Sequence, residues 1–429
     1  MANAEIQRHF KVNFVMGVLD GCFFGLALGL ASYVTILPLF VSYLTDSTIL
    51  IGLIATIHML GWQLPQLLTA HRVSKLKRIK PMVFWMTLHE RLPYFGLALV
   101  ALFLPAMTKN LALVLTILIL SWQSIGGGFT GTPWQSMISK VIPQVRRGTF
   151  YGIQSSGANL LGSGGAVVAG LLLGAIAFPN NYAFIFLLAG LSMMISLAFL
   201  MLMREPETEA EILTPETNTS YQFWDKFRDI LQHHSDFRWF LVARSFSQFS
   251  VMAMAFYTIF AVRTHDMSPK VAGTMTAVLF ISQTVSSPIL GWLGDRVGHR
   301  VVFAFGNLLM AVSAGLALYA PSLDWFYAVF AVTGIVSSTQ WTSILALSSE
   351  FGSESERPLY IGMSNTLIAP ATLIAPIFGG WLADSTGFNA TFGVAIFFGV
   401  LTAIILLFLM RDPIQRKQKF AQSSVTVGD

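Results

Sequence analysis

The sequence predicts an all-α membrane protein: twelve transmembrane helices in two pseudo-symmetric six-helix bundles. Three observations carry this reading. Twelve long apolar stretches run through the 429 residues, each near or above the roughly 20 residues that cross a hydrocarbon core about 30 Å thick. The loops between them carry positive charge on alternate sides only. The last six stretches also repeat spacings found in the first six. Composition agrees, with 54% hydrophobic and 11% charged residues, where a soluble domain carries about 25% charged residues.

In order, the stretches cover residues 14–44, 50–70, 81–104, 111–142, 149–177, 182–203, 239–262, 271–294, 301–320, 325–347, 359–383 and 390–410. Pro38, Pro65, Pro93, Pro133, Pro288, Pro370 and Pro376 fall inside them and are expected to kink or unwind the helices. Seven glycines dot the fifth stretch from Gly152 to Gly174, including the pair Gly170 and Gly174 at the spacing that lets membrane helices pack closely. These should serve contact between the halves. The organisation expected is a first bundle over 1–203, a linker over 204–237, a second bundle over 238–410 and a tail over 411–429. The linker holds an acidic run, Glu205, Glu207, Glu209, Glu211 and Glu216. After it comes a short amphipathic helix, with Phe223, Trp224, Phe227, Ile230 and Leu231 on one side, expected on the membrane surface.

An even number of spans places both termini on one side, and the positive-inside rule names that side. The termini and every second loop hold twenty-one of the 26 basic residues. The opposite loops hold Lys109, Arg263 and Lys270, and Arg91 and Arg244 fall inside spans. Both termini are therefore expected in the cytoplasm, with the chain in the cell inner membrane. This asymmetry accounts for the net charge of +5 and argues against nucleic acid as a partner. The single cysteine, Cys22, lies in an apolar stretch, which excludes an internal disulfide and a cysteine metal cluster. No cleavable signal is expected, because the first stretch has no small-residue cleavage site.

The internal repeat is specific in position. At an offset of about 210 residues Arg147 matches Arg357, Gly152 matches Gly362 and Gly170 matches Gly380. Just upstream, Thr132, Trp134 and Ser136 match Thr339, Trp341 and Ser343. Both copies occupy the fourth and fifth spans of their half, so equivalent spans run the same way. Parallel repeats of this kind mark secondary transporters with a substrate site between the halves.

After the eighth span the chain reads Gly291-Trp-Leu-Gly-Asp295-Arg296-Val-Gly298-His299-Arg300. This resembles the loop signature of the major facilitator superfamily, G-x-L-x-D-R-x-G-R-R, with His299 in place of a basic residue. The resemblance covers the whole chain. It implies a loop that latches the halves on the cytoplasmic side, with Asp295 near the start of the fifth span, around Arg147–Thr149. Physically, Gly298 allows the tight turn, and a helix N-terminus attracts the anion of Asp295. Gly291, Asp295, Arg296, Gly298 and Arg300 are thus the gating candidates. The first copy, between the second and third spans, keeps basic residues but has no acid at the corresponding place. The superfamily's fourth-span arginine is not recognisable either. Both departures bear on the latch and on proton antiport.

Formal charges within a span cost about 2.5–3.5 kcal/mol at the bilayer centre and need partners or a wet cavity. Asp20, Glu90, Arg91 and Arg244 are such charges. At 1.5 Å per residue Asp20 lies roughly 10 Å deep and Arg91 roughly 15 Å. They can form a structural brace, or Asp20 or Glu90 can be a proton-titrating carboxylate. Arg244 either attracts an anionic group on the substrate or snorkels to the surface. Further candidates for substrate contact are Gln123, Asn159, Gln248, Gln340, Trp341 and Asn365. His58 and His89 read more readily as packing than as relays. No hydrolase elbow, P-loop or metalloprotease motif is present, so an enzyme, a cofactor and a metal are not expected.

The expected activity is secondary active transport of a small amphipathic organic solute by alternating access, with protons as the coupling ion and export as the direction. The partners expected are that solute, protons and membrane lipids, with the chain a monomer. Two rivals stand beside it: a facilitator that moves lipid between leaflets, and a transport-silent sensor or assembly protein that kept the fold.

Overall fold

A computed structural model describes residues 2–206, 220–267 and 269–411. Among these every regular element is helical, as hydrocarbon demands of a backbone that must satisfy its own hydrogen bonds. Among the described residues ten helices are long and apolar enough to cross a membrane. The second and third expected spans are absent from that count; each is made of two helices of 16 residues or fewer. The second consists of α3 (Thr48–Gln63) and α4 (Gln66–Val73). The third consists of α5 (Lys80–Arg91) and α6 (Pro93–Leu102). Pro65 and Pro93 sit at these two breaks, where the missing N–H and the ring end a helical ladder.

The other prolines behave differently. Pro133, Pro288 and Pro376 lie inside the continuous helices α7 (Lys109–Val141), α13 (Pro269–Val297) and α17 (Ala369–Thr386). They do not end them. Pro370 stands at the start of α17, just after the eleventh span breaks between α16 (Arg357–Thr366) and α17.

Two interruptions carry no proline. The first stretch divides into α1 (Ala2–Leu30) and α2 (Ile36–Ser42). Here the Ser32 hydroxyl accepts from the N–H groups of Val34 and Thr35, both at 3.2 Å, a local bond that competes with the helix. The seventh span divides into α11 (Ser235–Val251) and α12 (Tyr257–His265) around a tight turn at Met252–Ala255. Nothing in the local sequence explains that one.

The remaining spans are α8 (Arg147–Ala175), α9 (Asn180–Leu202), α14 (His299–Leu318), α15 (Trp325–Ser348) and α18 (Phe388–Ile404). The amphipathic helix is α10 (Ser220–His233). It buries Ile230 and exposes Trp224, and its Lys226 pairs with Glu356 at 2.9 Å.

The described chain forms two compact units, and two spans change unit along their length. The first unit takes residues up to Pro143, the chain from Gln154 through α9, and Ile361–Thr366. The second takes Gln144–Ile153, α10 to Tyr360, and the chain from Leu367. The cut therefore does not follow the sequence halves.

In the first unit, α1 and α8 approach through small residues. A Cβ on Gly25 would fall 2.3 Å from the Ala158 carbonyl oxygen, and one on Gly29 1.9 Å from that of Gly162. The signal is Gly21, Gly25 and Gly29, spaced by four on one helix face. Gly170 and Gly174, expected to make the close contact, have open space where a Cβ would stand.

Glu205 also departs from expectation. It is no solvated linker residue. Its carboxylate accepts from the N–H groups of Ile79 (2.7 Å) and Lys80 (2.8 Å) at the start of α5, and meets Lys140 Nζ at 2.9 Å. The rest of the acidic run, the Phe223 side chain and the tail residues Arg416, Lys417 and Lys419 lie outside the described residues.

Candidate functional site

The first unit holds a buried ionic cluster. α1 carries Asp20, α5 carries Glu90 and Arg91, and α9 supplies Ser196. Arg91 Nη2 lies 3.2 Å from Asp20 Oδ1, and Ser196 Oγ donates to the same oxygen at 2.5 Å. Arg91 also donates to Ser196 Oγ at 3.0 Å and, through Nε, to the Met193 carbonyl at 3.1 Å. The Trp134 side chain on α7 bonds the Asp20 carboxylate as well. Glu90 is held more loosely, with Oε2 at 3.8 Å from Arg91 Nη1. Its carboxylate lies against Gly127, where an added Cβ would be 3.0 Å from Oε1. Asp20, Glu90 and Arg91 are all buried.

A second polar group lies in the same unit, where the broken first span meets α3, α6 and α7. The Tyr33 hydroxyl donates to Gln123 Oε1, and Ser124 Oγ donates to that oxygen at 3.3 Å. The Tyr33 ring stacks on His58 at 3.8 Å between centroids. Asn365, at the end of α16, donates to Gln66 Oε1 at 2.7 Å, so its amide serves helix packing here. The Asn159 side-chain nitrogen is buried without a partner among the described residues.

The second unit buries formal charges of its own, at Arg147, Asp236, Arg244 and Glu350. Arg244 on α11 is buried, with its guanidinium over the Phe240 ring at 5.8 Å. Ser247 donates to Gln340 Oε1 at 3.3 Å. Gln248 is half-buried and Trp341 is exposed. The repeat gives this a meaning: Trp134 meets Asp20 in one unit, and Gln340, next to the repeat-related Trp341, meets neutral Ser247 in the other. An apolar groove of about 380 Å³ lies between α11, α17 and α18, lined by Phe249, Ile374, Phe378, Gly393, Val394, Phe397 and Phe398.

The loop motif is built as a cap. Asp295 accepts from Gly148 N (2.8 Å), Thr149 N (2.7 Å) and Thr149 Oγ1 (2.6 Å) at the start of α8. A carboxylate there satisfies N–H groups left open by the helix geometry and meets the positive end of the dipole. His299 is buried with Nε2 at 3.3 Å from Asp295 Oδ1. Gly298 adopts a φ of 97°, which its missing Cβ permits. Gly291 lies against Gly148, where an added Cβ would be 2.1 Å from the Gly148 carbonyl oxygen. The Arg296 guanidinium sits over the Trp292 ring at 4.0 Å, and Arg300 donates to the Met410 carbonyl.

Some of these partners were beyond sequence reasoning. Ser196 and Met193 depend on the rotation of α9 about its axis. The Gly21, Gly25 and Gly29 spacing is visible in the sequence, beside the denser glycines of α8.

Helices of this length, several of them broken, around a buried charge cluster define a polytopic membrane protein. The chain belongs to the Major Facilitator Superfamily, whose family model matches residues 21–267 and 239–426. It is a multi-pass membrane protein of a family of transporters, not of enzymes.

Among solved structures, the E. coli fucose:proton symporter FucP has a TM-score of 0.75 at 14% identity, covering 93% of this chain and 99% of that one. A bacterial homologue of the iron transporter ferroportin, in an outward-facing state, has 0.71 at 14% identity, covering 92% and 98%. These likenesses concern the fold.

Among curated proteins, Multidrug resistance protein 1 of Bacillus subtilis is 26% identical over 34% of this chain and 38% of its own length. The vesicular acetylcholine transporter of Torpedo marmorata is 30% identical over 32% and 27%. The chain spans about a third of the length of the curated relatives it matches.

Proposed function

We propose that this transporter exports a small amphipathic organic solute by alternating access, driven by protons, from a cell membrane in which both termini face the cytoplasm. One observation carries the coupling: two buried carboxylates, Asp20 and Glu90, share one guanidinium. Asp20 also receives Ser196 and Trp134, so its charge is compensated. Glu90 meets Arg91 at a longer distance. A proton on Glu90 cancels the excess negative charge of the cluster, and its release leaves that charge buried. A conformational change that wets or closes the cluster therefore exchanges a proton at Glu90. The latch role of Asp295 fits the same cycle, since capping α8 favours one arrangement of that helix.

Support for an amphipathic cargo is chemical. The candidate residues of the second unit, Gln248, Gln340 and Trp341, are neutral, and Arg244 is its one candidate charge. The names of relatives such as Multidrug resistance protein 1 and the multi-drug resistance efflux pump PmrA of Streptococcus pneumoniae favour export. The test is flux of amphipathic compounds from proteoliposomes under an imposed pH gradient. Gradient-driven flux supports the reading, and flux indifferent to the gradient defeats the coupling.

A second reading, lipid movement between leaflets, has one observation in its favour. The groove between α11, α17 and α18 is lined by apolar residues alone, as a lateral path for acyl chains requires. A lipid scramblase assay with a fluorescent phospholipid separates the two.

A further inference from the structure

Two broken spans meet near their breaks within the first unit. The second span stops at Gln63, turns through Leu64 and Pro65, and resumes at Gln66. The eleventh stops at Thr366 and resumes at Ala369. The Thr366 hydroxyl reaches into the Pro65 break. It lies 3.1 Å from the Gln63 carbonyl and 3.4 Å from the Leu64 carbonyl as donor, and accepts from the Leu67 N–H at 3.2 Å. Asn365 bonds Gln66 Oε1 at 2.7 Å, and Gln66 is itself tied to the Trp62 carbonyl and to Thr132. One turn earlier Gly362 lies on α4, where an added Cβ would stand 3.1 Å from Ala70 Cβ.

A broken helix in a membrane leaves backbone groups that something must satisfy. This break offers two carbonyls and one N–H. A carboxylate only accepts, whereas a hydroxyl both donates and accepts, so threonine suits the break where an acid would not. The other copy of the loop solves a different problem. Asp295 meets two N–H groups and a hydroxyl, all donors. At the place equivalent to Asp295 the first copy has His71.

We propose that Thr366, assisted by Asn365, is the positioning residue that does for the second and eleventh spans what Asp295 does for the eighth and fifth. It clasps α16 onto α4 in this conformation, and the turn at Leu367–Ile368 is the hinge at which the clasp releases during transport. Two features support the hinge. The eleventh span changes compact unit between Thr366 and Leu367. The regular helix is also already interrupted there. The proposal rests on alternating access but not on any substrate or coupling ion.

The test is disulfide trapping in purified protein without substrate. Cysteines replace Ala70 and Gly362 in a Cys22→Ser background, at a Cβ separation close to that of a disulfide. The clasped state cross-links rapidly on oxidation. Thr366→Val keeps the shape and removes the hydroxyl, so the clasped fraction and the cross-linking rate fall roughly tenfold, as loss of a buried bond with stranded partners implies. Thr366→Ser restores the original rate. Equal rates in Thr366→Val and the parent overturn the proposal. If Thr366→Val cannot be purified, Asn365→Ala takes its place: a slower rate supports the clasp and an unchanged rate overturns it. Absence of solute flux would defeat the export reading and leave this measurement intact.

Discussion

The Arg91 guanidinium stands 3.2 Å from the Asp20 carboxylate, deep in the first unit, and both side chains are shielded from solvent. Removing one partner of such a pair strands the other and costs about 3–5 kcal/mol, whereas replacing both with apolar groups is often neutral or stabilising. Asp20→Asn and Arg91→Met should each lower thermal stability in detergent markedly, and Asp20→Leu with Arg91→Met should regain most of the loss. The charge swap Asp20→Arg with Arg91→Asp should not. The Met193 carbonyl needs a donor at position 91, and Ser196 donates to an acceptor at position 20. Full recovery by the swap would show that the pair acts through charge alone.

The glycines of α1 and α8 should separate cleanly by position. Gly25→Leu and Gly29→Leu drive a side chain into the backbone of α8, and overpacking of this kind costs about 1–3 kcal/mol or more. Gly170→Ala and Gly174→Ala meet open space and should leave the protein monodisperse with an unchanged melting temperature. Size-exclusion profiles of the four variants check this. Equal damage at Gly170 and Gly25 would contradict the packing described.

That contrast shows what was readable in the chain and what was not. Apolar length locates the spans because hydrocarbon thickness imposes it, and Pro65 and Pro93 announce their breaks through backbone chemistry. The break at Ser32 rests on one hydroxyl choosing local N–H groups, which composition does not reveal. Depth along two helices makes a pair of Asp20 and Arg91 possible, so the pair is readable in the sequence. Ser196, on a third helix, needed that helix's rotation. Asn365 reads as a cavity residue by type and span, yet its amide is spent on Gln66. A polar side chain inside a membrane announces that it has a partner without saying whether the partner is protein or substrate. Glu205 looked solvated because it stands in an acidic run, but helix α5 begins where that carboxylate can cap it.

Asp295 accepts from three donors at the start of α8, and an asparagine in its place would turn an NH2 group toward N–H groups. Asp295→Asn keeps one acceptor oxygen and should therefore free either the Gly148 N–H or the Thr149 N–H, at a cost of about 1–3 kcal/mol for the stranded donor. Hydrogen–deuterium exchange across residues 147–152 reads this directly. Faster exchange is expected, and exchange as slow as in the parent would remove Asp295 as the cap that steadies α8.

The central claim is that Glu90 exchanges the proton that drives export. The most direct measurement is efflux of ethidium, as an amphipathic probe, from proteoliposomes under an imposed pH gradient, in the parent, Glu90→Gln and Asp20→Asn. The account predicts gradient-driven efflux in the parent and loss of the gradient dependence in Glu90→Gln, with counterflow of ethidium between equal concentrations retained. Efflux that follows the gradient equally in Glu90→Gln and the parent would contradict it.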